Sequence, residues 1–162
     1  MTVLSATPDT DALTLVVVAD LAAAPDRAWN LWADPRTLER WWGPPTWPAT
    51  FDEHDMRPGG VARYYMTGPD GTRAHAHWTF TAIDEPTTLE IEDRFADERG
   101  EPDDGMPTVR MVVTLAPGGT GTIMTITSHF ASADDLAQVL EMGMAEGMTL
   151  AVGQIDALLA EG

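Results

Sequence analysis

Few side chains in this sequence can do chemistry, and their types narrow what that chemistry is. There is no cysteine and no lysine, and all nine basic residues are arginine. Thiolate nucleophiles, disulfides, cysteine metal sites and Schiff-base lysines are therefore excluded. The three serines, at 5, 128 and 132, lie outside any G-x-S-x-G elbow. No Gly-rich phosphate loop with its lysine is present. Asp93 is the acid of most interest. It alternates with Leu89, Ile91 and Phe95, so its carboxylate is expected to share their inward face. A desolvated aspartate has a raised pKa and can serve as acid or base. The alternative is a structural one, in which Asp93 pairs with an arginine or accepts backbone hydrogen bonds near its strand end.

Two further groups invite the same question. His54 and Asp55 are adjacent, so a continuing strand turns them to opposite faces, and one of them is placed to look into a cavity mouth. A dyad of His54 with Asp93 is conceivable, but spacing does not set their separation. His75 and His77 form an H-x-H pair on one strand face, a spacing that can chelate a metal. That face lies opposite Trp78 and Phe80 and is expected to meet solvent, and no third ligand follows from the spacing. No catalytic residue, metal or cofactor is assigned on these grounds.

The elements that must position these groups are readable from periodicity. Residues 12–20 form a β-branched run, the expected first strand. Pro25 suits the first turn of a helix, with Ala28, Trp29, Leu31 and Trp32 on its apolar face. Asp34-Pro35 interrupts it, and a second short helix runs to about Trp42. Strands are expected over 47–56, 61–67, 73–83, 87–95, 108–116 and 121–130, separated by turn-rich segments such as Gly68-Pro69-Asp70-Gly71. The acidic stretch 96–107 reads as an exposed loop. From Ser132 onward the period becomes helical, through Leu136, Val139, Leu140, Met144, Met148, Ala151 and Ile155. Gly143, Gly147 and Gly153 fall inside this long helix, where each costs roughly 1 kcal/mol against alanine. Close approach of helix to sheet, or room for a ligand, would explain the Gly143/Gly147 pair.

The fold class expected is α+β: a curved seven-stranded antiparallel sheet, two short helices after strand 1, and one long C-terminal helix covering the sheet. A chain of 162 residues suits one domain, with its core over about 12–160. With 44% hydrophobic residues it is not expected to be disordered. No apolar stretch is long enough for a transmembrane helix. No secretory signal is seen at 1–11, and a cytoplasmic location is expected. The net charge of −17 argues against nucleic acid and against an anionic membrane surface.

Several motifs in this order resemble the START-like (SRPBCC) superfamily and its helix-grip fold. They are Ala24-Pro25 leading to Ala28-Trp29, and Asp34-Pro35 through Arg40-Trp41-Trp42-Gly43-Pro44. His54-Asp55-Met56-Arg57-Pro58-Gly59-Gly60 and Ile83-Asp84-Glu85-Pro86 follow, and then Gly143-Met144-Ala145-Glu146-Gly147-Met148. The nearest likeness is to the bacterial branch named after activators of the heat-shock chaperone ATPase. Many bacterial relatives carry tryptophan where Met148 stands here. The resemblance implies a cavity under the C-terminal helix, which superfamily members use for lipids, sterols, polyketides and hormones. A few members are cyclases or dehydratases, and the chaperone activators are interaction modules.

On this basis the expected ligand-binding wall is Trp42, Tyr64, Met66, Trp78, Phe80, Asp93, Phe95, Met111, Met124, Met144 and Met148. Methionines and aromatics at these positions suit an adaptable apolar pocket, although a packed core would use the same residue types. The first function expected is binding of a small apolar or amphipathic molecule. The alternatives are a cyclase, dehydratase or hydrolase acting in the same cavity, and a chaperone-activator-like interaction module, whose contact with a chaperone is the less expected partner. A homodimer is plausible from base rates alone.

Overall fold

A computed structural model describes residues 3–161. The first strand, β1, is Val3–Asp9, and β2 is Thr14–Leu21. Two helices follow, α1 (Pro25–Ala33) and α2 (Pro35–Leu38). A meander then runs through β3 (Ala49–His54), β4 (Val61–Thr67), β5 (Arg73–Asp84), β6 (Thr88–Ala96), β7 (Thr108–Gly118) and β8 (Gly121–His129). Three helical segments close the chain: α3 (Ala133–Glu141), α4 (Met144–Gly153) and α5 (Ile155–Ala160).

The seven expected strands are all present as β2 to β8, within a residue or two at most ends. The expected curved seven-stranded sheet is nevertheless corrected. The strands form one open eight-stranded antiparallel sheet in the order β1-β2-β8-β7-β6-β5-β4-β3. The additional strand is β1, which pairs with β2 at the edge, Ala6 opposite Val17. Pro8 is tolerated there because an edge strand has a side with no ladder to supply. The β1–β2 turn carries Leu13 at a positive φ of 57°, an uncommon conformation for leucine.

The second correction concerns the long helix, which is broken into three. After α3, Gly143 takes φ +88°, a left-handed conformation that glycine adopts without a Cβ penalty. Room for that backbone, and not a close approach to the sheet, accounts for this glycine: a Cβ there would meet nothing within 4 Å. Gln154 marks the second break. Its side-chain amide donates to the Gly43 carbonyl at 2.7 Å, which ties the helical tail to the end of the α1–α2 hairpin.

The helical starts have local causes. Pro25 opens α1, and Asp34 caps α2 by accepting from the Arg36 N–H and the Thr37 hydroxyl. Ser132 caps α3 by accepting from the Asp135 N–H. All helices contribute to one core with the inward sheet face. There α1 packs on β7 and β8, α2 on β3, and α4 on β1 and β2. The fully buried side chains include Trp32, Trp41, Trp78, Phe80, Leu89, Ile91, Met111 and Met124. No helix among the described residues is long and apolar enough to cross a membrane.

Candidate functional site

The inward face is not filled everywhere. Over one end of β4 to β7 the helices stand off the sheet and leave a cavity of about 540 Å³. Its floor is built by strand alternation. Tyr64 and Met66 come from β4, Ala74 and Ala76 from β5, Asp93 and Phe95 from β6, and Val109 and Met111 from β7. Its roof comes from α3 and α4, with Val139, Met144, Gly147, Met148 and Ala151 turned toward it. Trp42, Gly43, Pro44 and Trp47 close one wall, and the exposed Met142 and Ala74 mark the mouth. Gly68 lets Trp47 lie where it does, because a Cβ at Gly68 would stand 2.6 Å from the indole ring.

Eight of the eleven expected wall residues line this cavity: Trp42, Tyr64, Met66, Asp93, Phe95, Met111, Met144 and Met148. Trp78, Phe80 and Met124 are outside the lining and fully buried in the core. The reason is position along the strands. Met124 pairs with Ala19 and Leu115, and Phe80 packs beside Trp78 and His54, at the end that α1 already covers. Trp78 sits deeper than the wall, with the rings of Trp42, Tyr64 and Phe51 at 5.0, 5.3 and 5.5 Å. Of the tandem tryptophans, Trp41 is core, its indole N–H donating to the Leu31 carbonyl at 3.0 Å, and Trp42 faces the cavity. The lining residues missed from sequence include Pro44 and Trp47, the strand residues Ala74, Ala76 and Val109, and the helix positions around Val139 and Ala151. For the helix the signal was present, since Val139, Gly143, Gly147 and Ala151 recur every four residues. Trp47 falls in a loop and had no periodic signal.

Asp93 is the polar feature of this apolar space. It faces Trp78 across the β5–β6 ladder and Val109 across β6–β7. Among the described residues its carboxylate forms no ion pair and no hydrogen bond of normal geometry. Its remaining exposed surface borders the cavity. Burial pushes it up to about 7, and the nearby Trp78 indole N–H offsets only part of that rise. The Trp78 N–H itself lacks a partner of full hydrogen-bond geometry, as does that of Trp42. Tyr64 is pushed well above its ordinary value, first by burial and then by the charge of Asp93.

The other sequence candidates lie elsewhere. His54 is not in the lining. Its Nε2 hydrogen-bonds the Trp32 carbonyl at 3.0 Å, its ring meets Phe51 and Phe80, and burial lowers its pKa. No His54–Asp93 dyad forms in the cavity wall. Asp55 pairs with Arg57 in the turn. His77 does take the face opposite Trp78, but it is buried there instead of solvent-exposed. Arg63 and Arg94 flank it on the neighbouring strands and pair with Glu53, Glu101 and Asp104. No cluster of three or more potential metal ligands occurs among the described residues.

An antiparallel sheet carrying two short helices after its second strand, with helical segments roofing a cavity at the C-terminus, defines a START-like helix-grip protein. Residues 22–160 match the family model described as "Activator of Hsp90 ATPase homolog 1-like protein", and the chain belongs to that family. Solved structures agree. The chain is similar to a protein from Arthrobacter aurescens, with 51% identity, a TM-score of 0.94, and 99% of this chain and 94% of that one covered. It is also similar to protein Ms6760 from Mycobacterium smegmatis, with 46% identity, a TM-score of 0.90, and coverage of 97% and 96%. A protein from Rhodobacter sphaeroides shares the fold at 23% identity and a TM-score of 0.84, with coverage of 98% and 99%. No protein with a curated description matches the chain.

Proposed function

We propose that this protein binds a small apolar or amphipathic molecule in the cavity between β4–β7 and the α3–α4 roof. The observation that carries this is the cavity itself. At about 540 Å³ it is the size of ordinary small-molecule sites, and it is walled by aromatic and thioether groups with one half-buried carboxylate. Burial of the ligand against these groups drives association. The unbranched side chains of Met66, Met111, Met144 and Met148 adapt to its outline. Asp93 and Tyr64 orient it. The test is native mass spectrometry of protein purified from its own host, followed by denaturing extraction. A near-stoichiometric apolar molecule released on denaturation is the expected result. Apoprotein from every growth condition, together with no response to added apolar probes, would overturn the proposal.

A second reading adds chemistry to the same cavity. It is favoured by one observation, an aspartate held near 7 and facing the space a ligand would occupy. Such a group exchanges a proton near neutral pH, as cyclisation, dehydration or hydrolysis would require. Conversion of the extracted molecule by the native protein, lost in Asp93→Asn, would establish it. An unchanged molecule after prolonged incubation would leave binding as the function.

A further inference from the structure

We propose that the cavity selects an apolar molecule carrying one basic amine, its ammonium group seated on the Asp93 carboxylate in the cavity floor. This rests on the cavity being a binding site and names the chemistry that the site prefers.

Two observations lead there. Asp93 is the only acid among the described lining residues, and it has no cationic partner. Its neighbour Arg94 also borders the cavity, but its guanidinium pairs with Asp104. A neutral ligand would leave this carboxylate unpaired, and an anionic one would oppose both it and a chain of net charge −17. An ammonium ion is the ligand group that compensates it.

The second observation is donor placement. The indole N–H groups of Trp42 and Trp78 approach the Tyr64 oxygen, and that of Trp78 also approaches Asp93. The donors in the wall are turned on the wall's own oxygens, so the carboxylate keeps room for a donor from the ligand. The methionine-lined remainder of the cavity takes the apolar body.

The test compares phenethylamine with phenethyl alcohol, which share a carbon skeleton and differ in the cationic group. Binding to the intact protein is followed by NMR titration. Near pH 8 the amine is expected to bind at least about tenfold more tightly. Between about pH 8 and about pH 6 Asp93 takes up its proton, and the amine should lose about tenfold in affinity while the alcohol does not. The other titratable or charged residues in the lining are Tyr64, His75 and Arg94. Asp93→Asn separates Asp93 from all three, since it should bring the amine-to-alcohol ratio close to one. Equal affinities in the native protein, or an amine preference that survives Asp93→Asn, would overturn amine selection. Binding of the alcohol without preference for the amine would leave the cavity a binding site. Binding of neither probe would overturn amine selection and, together with apoprotein from every growth condition, the binding function as well.

Discussion

Replacing Asp93 by asparagine should stabilise the protein at neutral and alkaline pH. Folding moves this carboxyl from 3.8 to about 7, chiefly by burial. An acid whose folded pKa is raised holds more protons folded than unfolded, so its contribution to stability falls as pH climbs between those two values. At about 1.4 kcal/mol per pH unit, the full span amounts to roughly 4 kcal/mol of destabilisation once the pH exceeds 7. The carboxylate borders cavity space that water can enter, which reduces this to roughly 2–4 kcal/mol. Asparagine is nearly isosteric and cannot ionise, so it removes the penalty. In a domain of this size the gain corresponds to a rise in Tm of roughly 5–15 °C at pH 8, shrinking to little at pH 4. Thermal or urea unfolding of both proteins across this range measures the difference directly. Titration of His54 and His77 is common to the two proteins and cancels. A difference that does not change with pH, or a variant less stable than the native protein at pH 8, would refute a buried, unpaired Asp93.

Three further outcomes are expected. Gly143→Ala places a Cβ on a backbone at φ +88°, and urea unfolding should show a loss of roughly 1 kcal/mol although no atom is crowded. Gln154→Ala removes the 2.7 Å hydrogen bond to the Gly43 carbonyl and should cost about 1 kcal/mol, with faster amide exchange in α5 than elsewhere in the tail. His54 should titrate below the usual histidine range when followed by NMR, because burial opposes its charged form. A histidine of lowered folded pKa destabilises the protein as pH falls through the ordinary value near 6.5, the opposite sign to Asp93.

Much of this architecture was legible because burial imposes a period. The alternation Leu89, Ile91, Asp93, Phe95 put an aspartate on an apolar face, and the structure places it in the cavity floor. The β-branched run after Leu13 and the paired turns between strands likewise marked seven of the eight strands. The missed strand, β1, is at an edge, mostly exposed, and contains Pro8, so it has neither a full apolar face nor strand propensity. The helical period from Leu136 to Leu159 carried through two breaks that depend on single residues, Gly143 and Gln154. A periodic apolar stripe persists across a kink, so it does not report one. Trp78, Phe80 and Met124 share the inward face with the lining residues, and alternation does not distinguish the end of a strand that meets α1 from the end that meets the cavity. The burial of His77 was illegible for a related reason: it depends on arginines of neighbouring strands folding over the outer face.

The most direct test of a cavity that binds small apolar molecules is methyl NMR of the methionines during titration with phenethyl alcohol. Met66, Met111, Met144 and Met148 line the space, while Met124 is core, away from it. Saturable shifts at the four lining methyls, with Met124 unmoved, are the expected result. Shifts confined to Met56 and Met106, which lie outside the lining, or no saturable change at any of the four, would contradict it.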